Sequence, residues 1–233
     1  MIITIDGPAG SGKSTTARRS ATRLEYVYLD TGAMYRAVAL GFLRSNREPV
    51  PEHARDVLAD LDLDVQYDGD VMQVFLGGEE VTHKIRTSEV GTVASEVSSL
   101  RAVRERLVRE QRRIGFEQEE KHGGVILDGR DTGTVVFPDA DLKIFMVADV
   151  DERARRRQQE YEEDGKDVPL ETVRREIEER DQRDRNRDIA PLRRADDAIT
   201  LDTTDRSVEE QVGFVVDRVK EARSPGTSEE GPQ

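Results

Sequence analysis

The fold is decided by the run Met1-Ile2-Ile3-Thr4-Ile5-Asp6, continued by Gly7-Pro8-Ala9-Gly10-Ser11-Gly12-Lys13-Ser14. The apolar run predicts a buried strand, and the next eight residues match the phosphate-binding pattern G-x-x-x-x-G-K-[ST]. Glycines let backbone amides turn toward a polyphosphate, the lysine reaches its β- and γ-phosphates, and the serine hydroxyl can ligate Mg²⁺. A helix that begins near Lys13 adds the positive end of its dipole. We therefore predict a nucleoside triphosphate site formed by Gly7, Pro8, Ala9, Gly10, Ser11, Gly12, Lys13, Ser14 and Thr15.

Outward from this loop, strand and helix patterns alternate along the chain. Buried strands are predicted at 1–6, 26–29, 124–128, 142–147 and 198–202. Helices are predicted near 13–24, 32–45, 54–61, 87–98, 101–121, 151–163, 170–188 and 207–222. This alternation is typical of an α/β fold with a doubly wound parallel sheet, in which ligands bind at the carboxyl ends of the strands.

One segment breaks the alternation. Residues 63–67 and 71–76 have the period of two of half-buried strands, and Asp68-Gly69-Asp70 between them is turn chemistry. We predict a β-hairpin closed by Gly77-Gly78, with Val81 beginning a third short strand. A hairpin at this place suggests a subdomain inserted into the main sheet.

The composition limits the class of protein and its location. The 233 residues suit one α/β domain with insertions, and no apolar run approaches the length of a transmembrane helix. No secretory signal is visible at the amino terminus, so we expect a cytoplasmic protein with no membrane partner. The chain has no cysteine, and its three histidines lie far apart in sequence, so we assign no metal to them.

The charge is strongly acidic. The net charge is -13, and only six of the 36 basic residues are lysines. Even the arginine-rich segment 151–194 holds 13 basic and 14 acidic residues, so nucleic acid is not an expected partner. Acid-rich surfaces with few lysines suit a high-salt habitat, because salt screens the self-repulsion.

The phosphate-binding loop alone does not name a reaction. The D-x-x-G and N-K-x-D segments of a GTPase are absent from the sequence, and the chain is short for a motor ATPase. A small kinase remains, which must hold two anionic substrates together and therefore needs cations beyond the loop.

Three clusters of charged residues supply such cations: 30–36, 128–134 and 179–187. The first brings a hydroxyl, an aromatic ring and an arginine to the end of the second strand. In the second, Asp128 ends a buried strand where it can orient Mg²⁺ or its water, and Arg130 can form a bidentate hydrogen bond with a phosphate. In the third, helical spacing puts Arg180, Asp184 and Arg187 on one face. Taken singly, these clusters are also compatible with a helix start, a polar turn and a solvated helix in which Asp181 pairs with Arg185.

Together the clusters resemble the bacterial cytidylate kinase family, from about Ile3 to Val219. The resemblance is carried by I-T-I-D-G-P-A-G-S-G-K-S-T, D-T-G-A-M-Y-R, I-R-T-S-E-V, D-G-R-D-T-G-T-V-V-F-P-D-A and R-D-Q-R-D-R-N-R-D-I-A-P-L. It implies transfer of the ATP γ-phosphoryl group to CMP or dCMP, with Mg²⁺, by a monomer. It also implies one P-loop kinase domain at 1–222. Within it lie a core (1–58, 122–150 and 189–222), an inserted monophosphate-binding subdomain (about 59–121) and a helical lid (about 151–188), with a disordered tail at 223–233.

The resemblance also assigns roles to residues. Ser95, Arg104 and Asp131 would read the cytosine edge, and Arg180 and Asp184 would hold the sugar hydroxyls. The acceptor phosphate would be surrounded by Tyr35, Arg36, Arg130 and Arg187, with Thr31, commonly Ser in related members, nearby. The catalytic cations would be Lys13, Arg130, Arg183 and Arg185, and the metal would be held by Ser14 and, through water, by Asp128. Further expected contacts with ATP come from the lid residues Arg153, Arg157, Arg183 and Arg185 at its phosphates, and from Thr203-Thr204-Asp205-Arg206 beside adenine.

Two alternatives stay open at this point. One is another small P-loop kinase, such as a UMP/CMP or adenylate kinase. The other is a nucleotide-binding regulatory or RNA-associated protein without turnover.

Overall fold

The computed structural model describes residues 1–69, 71–163 and 165–223. In chain order its elements are β1 (Ile2–Asp6), α1 (Lys13–Leu24), β2 (Val27–Asp30), α2 (Thr31–Arg44), α3 (Pro51–Asp60), β3 (Leu63–Asp68), β4 (Val71–Leu76), β5 (Glu79–Glu80), a 3₁₀ turn (Lys84–Arg86), α4 (Ser88–Val97), α5 (Arg101–His122), β6 (Val125–Gly129), a π-helical turn (Thr132–Val136), β7 (Leu142–Val147), α6 (Val150–Glu163), α7 (Leu170–Asn186), β8 (Ile199–Asp202) and α8 (Val208–Arg223).

A five-stranded parallel sheet lies at the centre, in the order β2-β6-β1-β7-β8. In the register of its three middle strands, Ile5 of β1 lies beside Asp128 of β6 and Ile144 of β7. Because all neighbours are parallel, every strand ends at the same edge, and Asp6, Asp30 and Asp128 meet there. The predicted parallel sheet and its strands are confirmed.

Helices cover both faces of this sheet, as expected for strands that are apolar on both sides. On one face, α1 and α8 pack against side chains such as Ile3, Ile126 and Ile144. On the other, α2 and α5 pack against Leu29 and Leu127. This double cover fixes the strand ends from which the polar side chains project.

The predicted hairpin forms, and it belongs to a separate sheet of order β3-β4-β5. Leu63 pairs with Leu76 and Asp68 with Val71, while Asp70 of the predicted turn lies outside the described residues. The third strand is Glu79–Glu80, so the prediction that it begins at Val81 is wrong. Val81 is instead fully buried, and its side chain anchors the hairpin in the core beside α2.

The ends of three helices differ from the predictions. Helix α3 begins at Pro51 rather than at 54, because proline is well suited to the first position of a helix. Helix α7 ends at Asn186, so Arg187 lies beyond it rather than on its last turn. The predicted tail begins too early, since Arg223 is the last residue of α8, and residues 224–233 lie outside the described part.

Helices α6 and α7 pack together around a small apolar cluster of their own, built on Ala154, Val173 and Ile177. Among the described residues, no helix combines the length and the apolar character that crossing a membrane requires.

Candidate active site

The phosphate-binding loop joins β1 to α1 and takes the backbone conformation that its glycines allow. Gly10 and Gly12 have φ angles of 74° and 87°, in the left-handed region that side chains disfavour. A Cβ atom on Gly7 would lie 2.2 Å from the carbonyl oxygen of Met146 in β7. The loop is therefore held close to the end of β7, in a conformation that residues with side chains would disfavour.

Lys13 is buried beneath this loop. Its ammonium donates to the Pro8 carbonyl at 2.6 Å and to the Ser11 hydroxyl at 3.3 Å. Burial, and then the neighbouring positive charge of Arg130, lower the pKa of Lys13 well below its usual range. A phosphate in the loop would offer this ammonium a charged acceptor in place of a neutral carbonyl, and would favour its charged form.

A carboxylate stands beside the loop at the end of β6. Asp128 accepts a hydrogen bond from Ser14 Oγ at 2.6 Å and another from Tyr28 Oη at 2.8 Å, while Thr31 Oγ1 donates to its backbone carbonyl. Burial, and then the nearby charge of Asp30, raise the pKa of the Asp128 carboxyl group. Burial also raises the pKa of Tyr28 well above its usual range, so this phenol stays protonated.

The donor set at this place fits a magnesium ion. Mg²⁺ prefers hard oxygen ligands, and it is usually held by one or two carboxylates together with substrate phosphates and water. Ser14 and Asp128 provide a hydroxyl and a carboxylate within hydrogen-bond distance of each other, next to the phosphate-binding loop. The two residues predicted to hold the metal are therefore brought together.

A second group of predicted residues meets at the other end of the cleft. Asp131 forms a buried ion pair with Arg104, and its second oxygen lies 3.6 Å from Arg187. The Arg104 guanidinium also lies over the ring of Tyr35, 5.6 Å from its centroid, and burial raises the pKa of Tyr35 to about 12. Because α5 carries Arg104 and the segment after β6 carries Asp131, the fold pairs residues that are distant in sequence.

Ser95 lies on α4, one turn before Ser98, whose carbonyl accepts from Arg104. The Ser95 hydroxyl oxygen is buried, and no hydrogen-bond partner for it exists among the described residues. A buried hydroxyl without a partner costs free energy, so this group is suited to a ligand.

Arg130, which follows β6, meets Asp184 of α7 across the cleft. Arg130 Nε donates to Asp184 at 2.8 Å. Burial alone would raise the pKa of Asp184, but the charges of Arg130 and Arg180 outweigh it and hold this pKa below its usual value. Burial, and then the charge of Arg130, lower the pKa of Arg180 to about 10. The cleft thus concentrates positive charge within an acidic protein.

Arg36 is held by the inserted subdomain. Its Nη1 donates to the carbonyl oxygens of Ile85 at 3.1 Å and Thr87 at 3.4 Å, just before α4. Burial, and then the charge of Arg86, lower the pKa of Arg36. Its position agrees with a role at an anionic group, which stays a prediction.

The predicted lid residues are placed differently from one another. Arg153 is buried, pairs with Asp181 at 2.7 Å and donates to the Ala9 carbonyl of the loop at 3.0 Å. Arg157 pairs with Glu160 at 2.6 Å, and Arg183 donates to the Glu179 carbonyl. The Arg185 side chain is 61% exposed, 4.0 Å from Asp181. Contact of these four residues with ATP phosphates stays a prediction, and in this structure Arg153 supports the loop backbone.

The segment predicted beside adenine lies against the loop. Thr203 is fully buried and donates to the Ser11 carbonyl at 3.0 Å, while Arg156 donates to the Thr203 carbonyl at 2.6 Å. The adenine contact itself stays a prediction.

Sequence reasoning missed three residues that shape the site. Asp6 accepts from the backbone amide and hydroxyl of Thr132 and from the amide of Gly133, at 2.7 to 2.9 Å, and so fixes the turn that follows Asp131. Arg86 pairs with Asp30 at 2.8 Å, and Tyr28 holds Asp128. The sequence could have indicated Asp6 as a site residue, because it ends a buried strand as Asp128 does. Spacing gives no comparable signal for Arg86 or Tyr28.

Comparison with known proteins identifies the family of the chain. The family model described as cytidylate kinase matches residues 3–221. Cytidylate kinase of Salinibacter ruber is 67% identical, with 97% of this chain and 100% of that protein covered. The cytidylate kinase of Chloroherpeton thalassium is 51% identical, covering 92% and 91%, and that of Caldicellulosiruptor bescii is 47% identical, covering 92% and 93%. Because the match spans nearly the whole chain, the chain belongs to the cytidylate kinase family.

Proposed function

We propose that the chain transfers the γ-phosphoryl group of ATP to CMP or dCMP, giving ADP and CDP or dCDP. The observation that carries this proposal is the position of the buried Asp131–Arg104 pair at the same sheet edge as the phosphate-binding loop. A triphosphate in the loop and a nucleotide against this pair would meet around Arg130.

The pair suits the edge of cytosine. The cytosine amino group is a donor, which a carboxylate and a serine hydroxyl accept, whereas its O2 and N3 accept from an arginine. Asp131, Ser95 and Arg104 provide these groups, and the Ser95 hydroxyl has no other partner in the described structure. Uracil carries a carbonyl where cytosine carries its amine, so it would leave buried acceptors unpaired and be rejected.

The remaining residues suit the sugar and the acceptor phosphate. Arg180 and Asp184 would hold the sugar hydroxyls, and Tyr35, Arg36, Arg130 and Arg187 would surround the phosphate, with Thr31 nearby. Arg130 and Arg187 are paired with carboxylates, which a phosphate or hydroxyl group would partly replace. Binding then exchanges one set of charged partners for another rather than dehydrating free ions.

The mechanism rests on alignment and on charge stabilisation. An oxygen of the acceptor phosphate is already nucleophilic, so no strong general base is needed. Lys13 and Arg130 would stabilise negative charge on the migrating group, with Arg183 and Arg185 added when the lid closes. Mg²⁺, held by Ser14 and through water by Asp128, would supply further charge neutralisation. Exclusion of water from the cleft would favour transfer to the monophosphate over hydrolysis.

The test is a panel of nucleoside monophosphates supplied with ATP and Mg²⁺. Phosphorylation of CMP and dCMP well above UMP and AMP is expected. Preference for AMP or equal use of UMP would favour another small P-loop kinase. Absence of ADP release with every monophosphate would favour a nucleotide-binding protein without turnover.

We further propose that the chain acts as a monomer in the cytoplasm, without nucleic acid or membrane partners. Sedimentation of the purified chain with and without nucleotides would test the monomer. A stable dimer would contradict it.

A further inference from the structure

Tyr28 reaches Asp128, the carboxylate that we propose for the metal, from the face of the sheet that α1 and α8 cover. It lies on β2 and its ring belongs to the buried cluster that includes Ala17 and Ala21 of α1. Its hydroxyl donates to Asp128 Oδ1 at 2.8 Å, whereas Ser14 donates to Oδ2 at 2.6 Å. Each carboxylate oxygen of Asp128 therefore has a different hydroxyl partner.

The two hydrogen bonds together fix the plane of the carboxylate. Asp128 lies on β6, and its backbone carbonyl is held by Thr31, so its side-chain torsions are the freedom that remains. A hydrogen bond to a charged acceptor is roughly twice as strong as a neutral one, and the ring of Tyr28 is immobilised by its packing. The phenol of Tyr28 thus determines the orientation of the Asp128 carboxylate, and this carboxylate in turn orients the Ser14 hydroxyl.

The orientation of Ser14 has a chemical consequence. A serine hydroxyl has one proton and two lone pairs. When the hydroxyl donates its hydrogen bond to Asp128 Oδ2, its lone pairs remain available to a cation at the phosphate-binding loop. An Asp128 carboxylate that rotated freely would not hold this direction.

We propose that Tyr28 is a positioning residue for the divalent cation that accompanies ATP, acting through Asp128 on Ser14. This inference rests on the proposed function. Partners that orient metal ligands contribute about 10- to 100-fold to metal affinity or activity in other proteins, and we expect an effect at the lower end.

The test is Tyr28→Phe, which removes the phenol oxygen and keeps the ring. The matched control is Tyr26→Phe. Tyr26 is also buried and directly precedes β2, but its hydroxyl donates to the Met1 sulfur, at 3.9 Å, rather than to a carboxylate at the site. Calorimetry measures the affinity of each chain for ATP with Mg²⁺ and for ATP with a chelator, and the ratio of the two affinities reports the contribution of the metal.

We expect Tyr28→Phe to reduce this ratio about tenfold while metal-free ATP binds within about twofold of the unmodified chain. Tyr26→Phe is expected to match the unmodified chain. An unchanged ratio in Tyr28→Phe would overturn the inference. An equal loss of both affinities would overturn it too, because it would indicate general damage to the loop.

A second comparison separates an effect of Tyr28 that passes through Asp128 from an effect elsewhere in the chain. In an Asp128→Asn chain, adding Tyr28→Phe should leave the ratio unchanged, since the group through which Tyr28 acts is already altered. A further fall of the ratio there would contradict the inference. If the unmodified chain itself transferred no phosphoryl group to any monophosphate, the proposed function would fail, whereas the ratios would still report on Tyr28.

Discussion

At the scale of single residues, three aspartates that end neighbouring strands use their carboxylates in different ways. Asp30 caps α2 by accepting from the Ala33 amide, and it pairs with Arg86. Asp128 gathers two hydroxyl groups beside the phosphate-binding loop. Asp6 accepts from the amides of Thr132 and Gly133 and so fixes the turn that follows Asp131. Their common place in the sheet therefore does not determine their role.

Asp131 is the residue that we expect to determine the choice of base. In Asp131→Asn, an amide can turn its donor toward the carbonyl oxygen of uracil, so use of UMP relative to CMP should rise about tenfold or more. Competition kinetics with both monophosphates measures the ratio. Asp139→Asn is the matched control, because Asp139 is an exposed carboxylate eight residues further on. An unchanged CMP/UMP ratio would refute the assigned role of Asp131.

Asp6 should make stability depend on pH. Burial raises its pKa to about 6 from the usual 3.8, so the folded chain holds this proton more tightly than the unfolded chain. Its contribution to stability is fully present below the unfolded pKa and is lost as the pH rises through the folded pKa. Between pH 5 and 7.5, the unfolding free energy should fall by about 1.4 kcal/mol more than in Asp6→Asn.

Chemical denaturation of both chains at the two pH values tests this expectation. Parallel changes in the two chains would show that Asp6 does not titrate in this range.

Residue roles were predictable from the sequence only where a motif encodes them. The pattern around Lys13 and Ser14 is local, so the loop could be predicted from spacing, whereas the metal-binding roles of Ser14 and Asp128 stay a prediction. The pairing of Asp131 with Arg104 joins residues 27 positions apart, and it follows from the packing of α5 beside β6 rather than from any spacing.

At the scale of elements, the pair α6–α7 is tied to the phosphate-binding loop through one buried arginine. Arg153 of α6 contacts both Asp181 of α7 and the Ala9 carbonyl of the loop. Both side chains of the pair are almost completely buried, at 6% and 4% exposure. Removing one partner from a buried pair leaves the other charge uncompensated.

We expect Arg153→Ala to lower the free energy of unfolding by about 3 kcal/mol or more. Arg155→Ala is the matched control, because Arg155 lies on the same helix but is 62% exposed and pairs with Glu152 along the surface. Its effect should stay within about 0.5 kcal/mol. Urea denaturation measures both variants, and equal effects would contradict the structural role of Arg153.

Helical spacing was a partial guide to this pair of helices. It correctly placed Arg185 one turn from Asp181, but the pair is at 4.0 Å and weak. The strong partner of Asp181 lies on another helix, and an amphipathic pattern cannot say which helix will pack on which. For the same reason the buried position of Arg153 could not be predicted.

At the scale of the whole molecule, an acidic chain brings a group of arginines together near one edge of its sheet. The net charge of -13 comes from 49 acidic and 36 basic residues. The arginines that lie close to one another are Arg36, Arg104, Arg130, Arg180 and Arg187. Repulsion among surface carboxylates destabilises the folded chain, and added salt screens it.

We therefore expect the unfolding temperature to rise by several degrees between dilute buffer and molar KCl, because even about 1 kcal/mol moves the midpoint by 2 to 4 °C in a chain of this size. Thermal unfolding followed by circular dichroism measures it. An unfolding temperature that does not change with KCl would contradict the high-salt interpretation.

The fold as a whole was more predictable than its fine structure. Apolar runs that end in an acid indicate parallel strands, and the change to a period of two located the inserted hairpin. The strand Glu79–Glu80 has no apolar residue, so its place in the second sheet depends on pairing with β4 rather than on its own pattern.

The ion pairs within the cleft bear on how products would leave the proposed site. Arg130 pairs with Asp184, and Arg104 and Arg187 pair with Asp131. At the site that we propose, a departing diphosphate would be replaced by counterions that the chain itself carries, and no bare guanidinium would have to be rehydrated. We expect this exchange to keep the affinity for each nucleotide moderate, as an enzyme requires if it is to release what it makes and begin another cycle.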